Sequence, residues 1–197
     1  MQEAAPPHGA CTMYQRKKPT VIIAQRLEPE ARQWVNAHEL ARQLQADQDL
    51  DVKVVSFGKL DFPQQVQAAA TADVLVGVTG SDLVNLIFLP PTGAVIEIFP
   101  SLNHEALFVP ELGNLATLLG KNHFTYAAEG NITVNEGESR LLYRVKSINI
   151  AVPDLAALVH NAAHQAWDGS GHEATKCAYQ GTSVQCTGNA ASRTGSA

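Results

Sequence analysis

Four short runs of apolar, largely β-branched residues recur along the chain at 20–25, 52–57, 73–78 and 94–99. Each is too short for a buried helix and is bounded by polar or turn residues, so each predicts a strand. Stretches with apolar positions three and four apart lie between them. Residues 29–45 place Ala31, Trp34, Val35, His38, Leu40, Ala41 and Leu44 on this spacing and predict a helix. Further helices are predicted over 62–71, over 81–89 up to Pro90-Pro91, over 104–119 up to Gly120, and from Pro153 to about Trp167. Residues 124–127 and 147–151 read as shorter strands. Strands apolar on both faces, alternating with helices, specify an α/β domain: a Rossmann-like parallel sheet with helices on both faces. Such sheets bind ligands at the carboxyl ends of their strands, so function is sought in the turns that follow strands.

The ends lack this pattern. Residues 1–19 carry Pro, Gly and charge without periodicity and read as a leader or linker. Residues 168–197 are rich in Gly, Ser, Thr and Ala and are expected to be disordered, because they cannot bury enough apolar surface to offset chain entropy. Residues 20–167 remain as one domain.

Composition narrows the function. The chain has 197 residues, 45% of them apolar, and a formal charge of −5. No basic stripe is present, which excludes nucleic acid as the main partner. No apolar run approaches the ~18 residues of a membrane span, and the first residues do not resemble a signal peptide. Cys11, Cys177 and Cys186 lie outside the periodic region and show no metal-type spacing; Cys177 and Cys186 are expected to be free, although an oxidising compartment would let them pair.

The most informative turn runs Gly77-Val78-Thr79-Gly80-Ser81-Asp82-Leu83-Val84-Asn85. It follows the most apolar strand and opens a helix. Glycines allow close backbone approach, Ser81 is suited to an N-cap, and first-turn amides suit a phosphate. An ordinary capped strand–helix turn explains the same residues, and chemistry alone leaves both readings open. No dinucleotide fingerprint and no Walker loop is present.

The block 72–91, followed by Gly93-Ala-Val-Ile-Glu-Ile-Phe-Pro100, resembles the hallmark of family-61 glycosyltransferases: apolar strand, Gly, His-Gly-Ala, Leu-Thr-Asn, apolar residues, Pro, Gly, Val-Ile-Glu-Ile. Upstream, Arg26, Arg32, Asn36 and Glu39-Leu40 resemble that family's Arg…Arg-x-x-x-Asn-x-x-Glu-Leu stretch, and Phe62-Pro-Gln-Gln65-Val66 its Phe-x-Glu-Gln-Val stretch. The resemblance covers about residues 20–167. It implies the C-terminal, nucleotide-sugar-binding half of a two-Rossmann-domain (GT-B type) enzyme. That enzyme would take a UDP-sugar donor and a glycan or protein acceptor, without a metal cofactor. It further implies an acceptor-side N-terminal domain and a membrane anchor in a longer protein of the ER or Golgi lumen.

The resemblance assigns nucleotide contacts to Arg26, Gly77, Gly80, Ser81, Asn85 and Glu97. Arg26 would pair with the diphosphate and Glu97 with the ribose hydroxyls. Asp82 would repel a phosphate and is expected to stabilise the start of its helix instead. Thr79 stands where the family has histidine. Threonine cannot titrate near neutral pH, and loss of an acid–base group costs roughly 10²–10⁴-fold in rate. Two functions follow: sugar transfer to a hydroxyl, or a catalytically impaired domain that binds nucleotide or serves a structural role. A nicotinamide-dependent oxidoreductase fits the architecture but lacks the fingerprint. His160 and His164 share a helix face, yet no third ligand accompanies them in sequence, so they are read as surface residues and no metal is expected. Asn131-Ile-Thr133 is a glycosylation sequon, meaningful in a luminal protein.

Overall fold

Two strands with every residue buried, β1 (Thr20–Ala24) and β4 (Val74–Val78), pair in parallel and anchor the molecule. The computed structural model describes residues 18–27, 31–46, 48–102, 105–106, 110–128, 130–134, 145–167, 177–180 and 183–186. Around β1 and β4 lie β3 (Asp51–Val55), β5 (Ala94–Leu102) and β7 (Asn122–Ala128). All five run parallel in the order β3-β1-β4-β5-β7, so this is an α/β, Rossmann-like domain. A two-residue strand, β6 (Glu105–Ala106), pairs antiparallel with the end of β5.

Successive residues of a strand point to opposite faces, and both faces here are apolar. Val21, Ile23, Val74, Val76 and Ile96 pack against α1 (Ala37–Ala46) and the C-terminal helix α4 (Val152–Ala166). Ile22, Leu75 and Val95 pack against Phe57, Leu83, Leu86 and Leu112 on the other face. That second layer is built from the short 3-10 turn Phe57–Lys59, α2 (Phe62–Ala70), the 3-10 run Ser81–Phe88 and α3 (Glu111–Leu118). Each fully buried Leu, Ile or Val contributes about 1.5–3 kcal/mol, and this alternation accounts for most of the core. Where β1 and β4 begin, the buried carboxylate of Asp73 accepts the Thr20 backbone N–H at 2.7 Å, which joins the two strands. Asp61 caps α2 through a reciprocal capping box with Gln64. Among the described residues no helix is long and apolar enough to cross a membrane.

Several elements depart from the sequence reading. The helix expected over 29–45 begins only at Ala37 (residues 28–30 lie outside the described residues). Arg32 has a left-handed φ of 62°, and Gln33–Trp34 forms a two-residue strand, β2, parallel to β9 (Val145–Ile150). The backbone hydrogen bonds Arg32 N–H to Val145 O and Val35 N–H to Ile148 O hold this segment extended. Tertiary pairing therefore overrides helical spacing there. The helix expected over 104–119 begins at Glu111, and the one expected over 81–89 is a 3-10 run. A strand that was not anticipated, β8 (Gly130–Val134), carries the sequon and pairs antiparallel with β9. Within the 168–197 stretch, β10 (Cys177–Gln180) and β11 (Ser183–Cys186) pair antiparallel, with Cys177 opposite Cys186. Cys11 lies outside the described residues.

Candidate functional site

The strand order gives the site its place. Counted along the chain, the parallel strands run second, first, third, fourth, fifth across the sheet, so connections leave β1 in opposite directions. The crevice at such a switch point opens at the carboxyl ends of the two strands that flank it, here β1 and β4. Arg26 follows β1, and Thr79-Gly80-Ser81 follows β4. The fold thus brings together two motif segments that lie about fifty residues apart.

Two guanidinium groups meet over Gly80. A β-carbon added at Gly80 would lie 2.8 Å from Arg26 Nη2 and 3.2 Å from Arg32 Nη1. Arg26 Nη2 donates to Ser81 Oγ at 2.7 Å, and Arg26 Nε donates to Asp82 Oδ2 at 3.3 Å. Arg32 Nη1 donates to the Thr79 carbonyl at 2.8 Å. The start of the 3-10 run is therefore covered by arginine side chains; an anion arriving there meets guanidinium before backbone amide. Gly80 itself has φ 153° and ψ −175°, a region open to glycine, and it is the residue that caps the run. Ser81, expected as the N-cap, instead accepts from Arg26. Asp82, expected to stabilise the helix start, is turned to Arg26, whose side chain is only 11% exposed.

Behind this surface lies a polar triad of buried Thr79 and Glu97 with half-buried His123. Glu97 is 0% exposed; Thr79 Oγ1 donates to its Oε1 at 2.5 Å, and His123 Nε2 lies 3.0 Å from its Oε2. Burial is the strongest influence on Glu97 and raises its pKa above the ordinary value; the bonds from Thr79 and His123 act in the opposite direction, and nearby Glu111 adds to the rise. Both oxygens of Glu97 hold protein partners and neither faces solvent. A ribose cannot reach this carboxylate without rearrangement, in contrast to the role the resemblance implied. Thr79, 2% exposed, is likewise a partner of Glu97 and not part of the surface. His123 escaped the sequence reading because it stands at the start of β7 with no motif around it. It packs on Gly113 of α3, where a β-carbon would come within 3.1 Å of its ring.

The other candidates are packing and bonding residues. At Gly77 a β-carbon would meet Ala24 Cβ at 3.0 Å and Leu83 Cδ2 at 3.2 Å, so this glycine lets the 3-10 run sit close to β1. Asn85 Nδ2 donates to the Asp82 carbonyl at 3.0 Å, within its own turn. Asn36 acts as a surrogate strand residue. Its amide donates to Ile150 O at 2.8 Å, accepts from Ile150 N at 3.0 Å and accepts from Trp34 Nε1 at 3.1 Å. Beside it, Asn36, Glu39, Gln43, Asn149 and Val152 line an open cleft of about 350 Å³.

The model of the family described as Glycosyltransferase 61 matches residues 4–96. The chain is 35% identical over 68 residues to an EGF domain-specific O-linked N-acetylglucosamine transferase of Drosophila melanogaster, covering 34% of this chain and 13% of that protein. It is 33% identical over 86 residues to a protein O-linked-mannose beta-1,4-N-acetylglucosaminyltransferase of Takifugu rubripes, covering 44% and 14%. It is 30% identical over 129 residues to a beta-1,2-xylosyltransferase of Oryza sativa subsp. japonica, covering 64% and 26%. The matched stretch thus spans about a quarter or less of each of these relatives.

Proposed function

We propose, for a chain whose residues 4–96 match the model of glycosyltransferase family 61, that this domain binds the nucleotide diphosphate of a UDP-sugar at the β1/β4 crevice. It would do so as the C-terminal half of a two-domain, GT-B type transferase. The observation that carries the reading is the meeting of Arg26 and Arg32 over Gly80 at the switch point. Guanidinium groups bind phosphate oxygens bidentately, so two of them meeting at the mouth of the crevice supply donors suited to an anion. Gly80 keeps the turn free of side chain, which leaves room for the two guanidinium groups directly over it. Arginine and amide donors would take the place of a cation in stabilising the leaving group, so binding needs no metal. The donor would be a UDP-sugar, as the resemblance of the 72–100 block implies, and the acceptor a hydroxyl of a glycan or protein, in keeping with the O-linked transfer named in two of the relatives. The acceptor half and a luminal, membrane-anchored setting would belong to the longer enzyme.

A second reading has its own observation. Thr79 and Glu97 are bonded to each other and shielded from solvent, so the position that is histidine in the family offers no acid–base group to a substrate. On that reading the domain binds nucleotide without catalysing transfer.

Calorimetric titration of the full chain with UDP, UDP-sugars and NAD tests the proposal. UDP is expected to bind in the presence of EDTA. Arg26→Ala and Arg32→Ala should each weaken binding about ten- to a hundredfold, the worth of one charge-assisted contact. UDP binding without hydrolysis or transfer selects the second reading. If UDP does not bind, or binds equally well to both variants, the crevice is not a diphosphate site.

A further inference from the structure

Far from the β1/β4 crevice, three side chains converge where the α1–β3 loop meets α4. His160 and His164 are one helical turn apart on α4, with ring centroids 4.5 Å apart. Both Nε2 atoms lie 2.9 Å from the same oxygen, Asp49 Oδ2. The other oxygen, Asp49 Oδ1, is shielded from solvent and has no hydrogen-bond partner. Gln48, with a left-handed φ of 56°, reverses the chain immediately before Asp49. One ligand atom from each of the three residues lies within 4.8 Å of the others. Sequence spacing showed only the histidine pair; folding supplies the third ligand from 111 residues away.

We propose that Asp49, His160 and His164 bind a divalent transition metal of the zinc type. Two imidazoles at i and i+4 with one carboxylate form an N₂O donor set suited to zinc. The 2.9 Å contacts are close to the ~3.3 Å separating ligand atoms around a tetrahedral ion with bonds of about 2.0 Å. A water would complete the fourth position. Both histidines would ligate as neutral imidazoles through Nε2, and Asp49 would ligate through Oδ2, the oxygen both rings already share. The ion would tie α4, the last helix of the domain, to the loop that feeds β3. It stands at the amino ends of the strands, so it would act on the architecture and not on a ligand at the crevice.

Cobalt(II), which takes up zinc sites and reports geometry by its visible d–d bands, is the probe. Titrating the metal-free full chain should give one equivalent of bound cobalt with a tetrahedral spectrum, displaced by zinc, and no thiolate charge-transfer band. Zinc should raise the thermal midpoint in a concentration-dependent way. His164→Gln, on an exposed position, and Asp49→Asn should each cost at least the roughly 10–100-fold that loss of a mere outer-shell partner costs, with unchanged far-UV circular dichroism. UDP titration should be the same with and without zinc, which separates this proposal from the preceding one. A thiolate band would put the metal on the cysteines. Either that band, no cobalt spectrum at one equivalent, or affinity unaltered in both variants overturns the site.

Discussion

Replacing Gly80 with alanine tests whether the turn after β4 is shaped for its arginines. The backbone there, φ 153° and ψ −175°, lies in a region essentially reserved for glycine, so a β-carbon costs about 1–3 kcal/mol of strain. The new methyl would also press within 2.8 Å of Arg26 Nη2 and 3.2 Å of Arg32 Nη1. Both are ends of flexible side chains and would swing aside. Doing so stretches the bonds to Ser81 and the Thr79 carbonyl, each worth about 1.5–3 kcal/mol in a charged pair and partly recovered in water. A total loss of about 2–4 kcal/mol follows. At roughly 2–4 °C per kcal/mol for a chain of this size, the thermal midpoint should fall by about 4–16 °C. Gly120→Ala is the control. Gly120 has φ 65° but nothing within 4 Å of the added carbon, so it should cost only the ~1–2 kcal/mol of a left-handed residue. Calorimetry on both variants, paired with UDP titration, should show Gly80→Ala weakening both stability and nucleotide binding, and Gly120→Ala weakening stability alone. Equal stability losses with unchanged UDP affinity would refute the argument that Gly80 is kept bare for the guanidinium groups.

Glu97 sets a pH dependence. Its folded pKa is raised above 4.5, so the folded chain holds this proton more tightly than the unfolded chain does. The contribution to stability is full below pH 4.5 and is lost as pH rises through the raised value. Glu97→Gln keeps an acceptor for Thr79 and should flatten the urea-unfolding profile across that window; an unchanged slope would count against burial as the cause. Asn36→Ala leaves both backbone groups of Ile150 without their partner and should cost about 2–6 kcal/mol, at about 1–3 kcal/mol per stranded group. A loss below about 0.5 kcal/mol in denaturant melts would show that this amide is dispensable.

The sheet was legible because each of its inner strands is apolar on both faces, a pattern that parallel burial requires and little else produces. That a site would lie in the turn after β4 was legible for the same reason; the strand order that makes the β1/β4 gap the switch point came from the fold. Residues 31–35 misled because Trp34 fits a helical spacing while its backbone pairs with β9. No local signal announces a partner more than a hundred residues away. His104 and its neighbours were drawn into a helix that starts only at Glu111, after β6 has already paired with β5. At the site, sequence identified Arg26, Thr79, Gly80 and Glu97 as belonging together. It could not tell that Thr79 and Glu97 face inward to each other while the arginines roof the turn. That distinction depends on side-chain direction at the end of a strand. His123 and Asp49 were illegible because each gains its meaning from a residue on another element.

In the 3-10 run after Gly80, Leu83 and Leu86 are sunk completely into the core. Lys121, reaching over from the entrance of β7, ties down its far end by donating to the carbonyls of Leu89 and Pro90 at 2.7 and 2.5 Å. The floor of the crevice therefore cannot lift without tearing two leucines out of the interior. Whatever opens or closes over a ligand must come from the other side, and the entropy of arranging this half has already been spent during folding. A rigid floor of this kind can keep its shape through evolution while the surface that faces it changes.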